Sequence, residues 1–140
     1  MNGFLVDTNV LSELTRSQPD IRVVQFLQQS KSSIFVSVLS VGEIRKGIAS
    51  LPLGGKRTDL ENWLEQEMTC WFGERLLPVT LAVAERWGDL AGEMKMAGRS
   101  RPVLDALIAA TALMHDLTIV TRNVADFQGL GVRIFNPWAS

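Results

Sequence analysis

Short apolar runs alternate along this chain with longer stretches in which apolar positions recur at helical spacing. Phe4-Leu5-Val6 reads as a short buried strand, and Ile34-Phe35-Val36-Ser37-Val38, rich in β-branched and aromatic side chains, as a second. Leu76-Leu77-Pro78-Val79, Leu117-Thr118-Ile119-Val120-Thr121 and Val132-Arg133-Ile134-Phe135 predict three more. Between them lie helical patterns over residues 10–16 and 21–29, the second started by Gln18-Pro19-Asp20. Residues 40–50 read as a helix that ends near the Pro and Gly of Leu51-Pro52-Leu53-Gly54-Gly55. Leu60, Trp63, Leu64, Glu67 and Trp71 give residues 58–72 an amphipathic pattern. A helix over 80–96 stops at Gly98, and Pro102 suits the first residue of another that runs to His115. Strands alternating with helices predict an α/β fold with a mostly parallel sheet. With no repeat, low-complexity run or linker, the expectation is a single domain over 1–140.

Charge and composition narrow the classes. Lys and Arg total 14 against 15 Asp and Glu, a formal net charge of -1, so nucleic acid is not held here by bulk positive charge. A single cysteine, Cys70, excludes an intrachain disulfide and suits a reducing cytoplasm. The first residues carry no basic segment before Phe4, and the longest apolar stretch, 106–114, is far short of the ~20 residues that span a bilayer. The expectation is a soluble cytoplasmic protein without a membrane partner.

Four acids then change the picture. Asp7 follows the first strand, at the carboxyl edge where α/β sheets bind ligands, although Asp7-Thr8-Asn9 would equally cap a helix. Glu43 lies just past the second strand, although Ser40-Val41-Gly42-Glu43 also spells a capping box. Asp105 opens a helix that is apolar nearly all round, where an unpaired carboxylate costs several kcal/mol; the helix dipole at its first turn is the competing explanation. Asp126 follows the fourth strand, in what is otherwise an ordinary surface turn. Four carboxylates converging on one sheet edge cannot all ionise without a cation. Oxygen ligands with no Cys or His favour Mg²⁺ or Mn²⁺, whose natural chemistry on a phosphodiester is hydrolysis.

At these residues the chain resembles the PIN-domain family and, within it, the VapC-type toxins of type II toxin–antitoxin pairs in their FitB-like branch. The segments that carry the likeness are Phe4-Leu5-Val6-Asp7-Thr8-Asn9-Val10-Leu11-Ser12-Glu13, Ser37-Val38-Leu39-Ser40-Val41-Gly42-Glu43-Ile44, Arg101-Pro102-Val103-Leu104-Asp105-Ala106-Leu107-Ile108-Ala109-Ala110-Thr111-Ala112, and Leu117-Thr118-Ile119-Val120-Thr121-Arg122-Asn123 with Asp126-Phe127. The resemblance implies a three-layer sandwich with a five-stranded, mostly parallel sheet. It implies a Mg²⁺- or Mn²⁺-dependent endoribonuclease acting on RNA phosphodiester bonds, with Asp7, Glu43, Asp105 and Asp126 as catalytic and metal-ligating residues. Thr8 and Asn9 then stand beside the first acid and Thr121 supplies a supporting hydroxyl. Arg122 and Asn123 fall where substrate or supporting contacts are expected, and Arg101 where it could meet phosphate. The implied partners are a cognate antitoxin, RNA and a second copy of the chain, in a toxin–antitoxin hetero-oligomer that reaches operator DNA only through the antitoxin.

Other signals carry less. Gly54-Gly55-Lys56-Arg57-Thr58 lacks the first glycine of a phosphate loop and follows no strand, so it reads as a turn. Ser37 and Ser40 have no nearby His, which argues against a serine hydrolase. A phosphoacceptor of another α/β family usually needs a second acid beside the first, where Asn9 and Thr8 stand instead. His115 suits a helix end, and Trp63, Trp71 and Trp87 suit a core. The competing function is a weakly or non-catalytic subunit of a DNA-binding toxin–antitoxin complex, with the acids kept as caps.

Overall fold

In the computed structural model, which describes residues 3–139, β1 (Phe4–Val6) lies at the centre of a five-stranded sheet ordered β3-β2-β1-β4-β5. The other strands are β2 (Ile34–Ser37), β3 (Leu76–Leu77), β4 (Thr118–Val120) and β5 (Ile134–Phe135). Every pairing is parallel: Phe4 registers with Ile34 on one side and Thr118 on the other, and Val6 registers with Val120. The chain enters β1 through Gly3, where a Cβ would come within 2.7 Å of the Ser33 carbonyl and 2.9 Å of the Phe35 ring. No larger residue fits that approach without a shift.

Parallel sheets are covered on both faces, and alternation along the strands divides the core accordingly. Val6, Ile34, Val36 and Val120 pack with Val10, Leu11, Leu27, Ile44 and Phe72 on one face. Leu5 and Ile119 point the other way, against Leu90, Met94, Ile108 and Ala109. Complete burial of each of these side chains larger than alanine stabilises by roughly 1.5–3 kcal/mol. The first face is covered by α1 (Thr8–Glu13), α2 (Ile21–Gln29), α3 (Val38–Ala49) and the helical run from α4 (Gly55–Asn62) to α5 (Thr69–Phe72). The second is covered by α6 (Leu81–Met96) packed on α7 (Val103–His115). No helix among the described residues is long and apolar enough to cross a membrane.

Several boundaries differ from those expected, chiefly through capping. α1 begins at Thr8 because Asp7 stays extended and its Oδ1 accepts from the Thr8 amide. α3 begins at Val38 because the Ser37 hydroxyl accepts from the Leu39 amide. Ser40 is therefore inside the helix, and the capping box of Ser40 and Glu43 does not form. Pro102 precedes α7 instead of opening it. The amphipathic run over 58–72 starts earlier, at Gly55, and is interrupted by a π-helical turn, Trp63–Met68. Trp63 packs on the core as expected, whereas Trp71 is 46% exposed and lies under the Arg75 guanidinium.

Candidate active site

β1 ends at the point where the strand order turns, with β2 on one side and β4 on the other, and Asp7 is the next residue. Ligands of open α/β sheets bind at such crevices beyond the carboxyl ends of strands. Asp7 is buried, and its carboxylate is fully engaged. Oδ1 accepts from the Thr8 amide at 2.8 Å. Oδ2 accepts from the Thr121 hydroxyl at 2.9 Å and from Asn9 Nδ2 at 3.2 Å. Burial nevertheless pushes its pKa above the usual carboxylate value; the Thr8 amide and Thr121 hydroxyl oppose that, and the charges of Glu43 and Asp126 reinforce it.

The supporting residues knit β1 to β4. Thr121, fully buried, donates to Asp7 and accepts from Asn9 Nδ2 at 3.1 Å and from the Asn123 amide at 3.1 Å. Asn9 Oδ1 accepts from the Arg122 amide at 3.1 Å. Arg122 thus enters the network through its backbone, while its guanidinium lies over the Trp138 ring, 5.2 Å from the centroid. Trp138 was not singled out in the sequence, where nothing marks it as a neighbour of Arg122.

Glu43 comes from the second turn of α3. Its Oε1 accepts from the Thr8 hydroxyl at 2.7 Å, so one threonine touches two of the acids, Asp7 through its amide and Glu43 through its side chain. Asp105 sits in the first turn of α7, half-buried, with its pKa pushed up to about 6. Burial is the largest cause, followed by the charges of Asp126, Asp7 and Glu43, with Arg101 opposing. Asp126 is exposed at the end of a single 3₁₀ turn, Val124–Asp126. That turn is held by Arg101, whose Nη1 donates to the carbonyls of Ala125 at 2.9 Å and Asp126 at 3.4 Å and whose Nη2 donates to that of Gln128 at 2.6 Å. Arg101 is therefore engaged with the backbone of the loop that carries the fourth acid.

All four predicted acids stand within one another's electrostatic reach. Among the described residues none of them forms an ion pair, and no three His, Cys, Asp or Glu side chains are gathered closely enough to cage an ion. The cluster is rich in carboxylate oxygen without an ion pair, a donor set whose chemistry fits a hard divalent cation supplemented by water or phosphate oxygens. Glu13 is a contrasting buried acid outside it: Oε2 accepts from the Asp20 amide at 2.7 Å and Arg16 pairs with it, so it fastens the loop between α1 and α2.

Comparison with known proteins identifies the family and the fold. The profile of the PIN domain matches residues 4–129. The chain is 36% identical over 135 residues to VapC ribonuclease Y4jK of Sinorhizobium fredii, covering 96% of both chains. It is 38% identical over 135 residues to Toxin FitB of Neisseria gonorrhoeae, covering 96% of this chain and 97% of that one. Its fold superposes on a chain of FitAB bound to an IR36 DNA fragment with a TM-score of 0.89 at 37% identity, covering 96% of this chain and 95% of the other.

Proposed function

Because this chain belongs to the PIN-domain family, we propose that it is the toxin of a toxin–antitoxin pair and cleaves RNA as a metal-dependent endoribonuclease. The observation that carries the reading is the convergence of Asp7, Glu43, Asp105 and Asp126, from four separate segments, on one sheet edge with no ion pair among them. The relatives named as a ribonuclease and as a toxin, alike over nearly the whole chain, support it.

Asp7, Glu43 and Asp105 would hold a divalent ion, Mg²⁺ or Mn²⁺, with water filling the spaces that their spacing leaves between carboxylate and ion, and Asp126 would complete the set or position the attacking water. When bound, such an ion neutralises phosphate charge and acidifies water. The remaining work belongs to the chain. Thr121 and Asn9 fix the Asp7 carboxylate, Thr8 fixes Glu43, and Arg101 and Asn123 shape the loop that presents Asp126. Hydrolysis then adds water at phosphorus, breaks one P–O ester bond and passes the proton of the water to an acceptor oxygen.

The partner we propose is a small antitoxin, in a hetero-oligomer built on a homodimer of this chain and meeting operator DNA through the antitoxin. An open, mainly apolar cavity of about 370 Å³ between α1, α2 and α5, lined by Leu11, Leu14, Leu27, Trp63, Trp71 and Phe72, offers apolar side chains of that partner a seat. The compartment we assign is the cytoplasm, where RNA is found and the exposed thiol of Cys70 stays reduced.

The decisive experiment incubates antitoxin-free protein with total cellular RNA, with and without Mg²⁺ or Mn²⁺, beside the Asp7→Asn variant. Discrete metal-dependent fragments that vanish in the folded variant are expected. A well-folded protein that cuts nothing with either ion would transfer the proposal to a non-catalytic subunit of a DNA-binding complex.

A further inference from the structure

Beside the acids lies a second cavity that the four carboxylates do not explain. It has a volume of about 270 Å³ and is walled by Thr8 and Ser12 of α1, Thr15 in the turn that follows, Glu43 of α3, and Lys56 and Trp63 of the long helical run. Only one acid faces it, so it is no cation site, and Ile44, Ile48, Leu51 and Leu60 give it an apolar floor beneath that polar rim. Its lining thus joins an aromatic ring and an aliphatic floor to one ammonium group and three hydroxyl side chains.

We propose that this cavity is a subsite for one nucleotide of single-stranded RNA, adjoining the bond that is cut, with its base against the Trp63 indole and its phosphate met by Lys56. The inference rests on the ribonuclease reading and adds the residues that hold the substrate beside the scissile bond. Three observations support it. The cavity and the acidic cluster share a wall, since Thr8 bonds Asp7 and Glu43 and also lines the cavity. A strand crossing the carboxylates therefore enters the cavity with its neighbouring nucleotide. The chemistry also matches: every base has a face to stack on an indole, a ribose meets hydroxyls, and a lone lysine suits a single phosphate. Finally, the chain has no bulk positive charge to hold RNA, with 14 basic against 15 acidic residues, so affinity must come from such local contacts.

Gly47 allows a test that does not depend on weakening the fold. It lines the cavity on α3, and a Cβ there meets nothing within 4 Å. Gly47→Leu fills the space and replaces a helix-interior glycine by a better helix former, so the variant should melt no lower than the parent. Affinity for a short fluorescent single-stranded RNA is measured by anisotropy in chelator, where no cleavage occurs. Gly47→Leu and Trp63→Leu should each weaken binding about tenfold or more, the scale of one stacked base, while Trp63→Phe retains most of it. Lys56→Gln should lower the slope of log affinity against log salt by about one. Folded Gly47→Leu and Lys56→Gln proteins that bind RNA like the parent would overturn the subsite. The two readings separate cleanly: cleavage with unchanged RNA affinity and KM in these variants overturns the subsite alone, whereas Trp63-dependent binding without any cleavage overturns the nuclease alone.

Discussion

The Thr121 hydroxyl donates to Asp7 Oδ2 at 2.9 Å across 114 residues of sequence, joining the ends of β1 and β4. The same hydroxyl accepts from Asn9 and from the Asn123 amide, so it serves three partners in a fully buried position. Thr121→Val keeps the shape but strips Asp7 of a donor and leaves two donors unanswered. The expected loss of stability is about 1–3 kcal/mol by urea denaturation, with cleavage falling further than stability alone accounts for. Thr121→Ser should restore most of both. A valine variant as stable and active as the parent would remove Thr121 from the site.

The elevated pKa of Asp105 has a definite sign. With the folded value near 6 against 3.8 for the ordinary group, the folded chain holds this proton more tightly than the unfolded chain does. Stability from this group is therefore complete below about pH 4 and is lost as pH rises through about 6. Asp105→Asn abolishes that slope. In chelator the variant should melt close to the parent near pH 4 and above it near pH 8, while losing cleavage. Equal melting temperatures at high pH would mean that the cluster imposes no electrostatic strain.

Divalent metal should reverse that strain. Mg²⁺ or Mn²⁺ that binds only the folded chain stabilises it by about 2.7 kcal/mol at a hundredfold excess over its dissociation constant. The upward shift in Tm should be larger near pH 7.5 than near pH 5, where protons compete for Asp105. Glu43→Gln should diminish it. A Tm indifferent to both ions at every pH would speak against the metal.

Arg101 is expected to act on activity more than on stability. Its guanidinium holds the carbonyls of Ala125, Asp126 and Gln128, and with them the position of Asp126. Arg101→Met should lower kcat about tenfold or more at nearly unchanged Tm and speed amide hydrogen exchange over 124–130. Arg101→Lys should rescue little, since a single ammonium cannot reproduce the fork. A methionine variant with intact kcat and slow exchange would show the loop to be held by other contacts.

The parts of this molecule legible in its sequence are those written in side-chain type and period. β1 is visible as Phe4-Leu5-Val6 because a doubly covered strand is apolar on both faces. Asp105 stands out because its helix is otherwise apolar. Helix starts were misplaced at Thr8 and Val38 because Asp7-Thr8-Asn9 and Ser37 with Ser40 offer several competent caps, and only the backbone selects one. The capping box of Ser40 and Glu43 fails for the same reason: the partner of Glu43 is Thr8, on another helix, and not Ser40 three residues back. The π turn over Trp63–Met68 leaves the apolar count of its segment unchanged, so periodicity does not reveal it. Arg101 binds carbonyl oxygens, which every residue possesses, and no sequence pattern announces such an acceptor.

The central position of β1 sets an order of events during synthesis. Of the five described strands it is made first, yet one flank of it stays bare until β4 has left the ribosome, more than a hundred residues later. Until then Asp7 has neither its Thr121 donor nor its Asp105 and Asp126 neighbours, and a nascent chain carries its first acid without a site around it. Completion of the site is thus tied to closure of the sheet: Asp7 gains its support only when β4 docks beside β1, and no shorter stretch of the chain brings the four acids together.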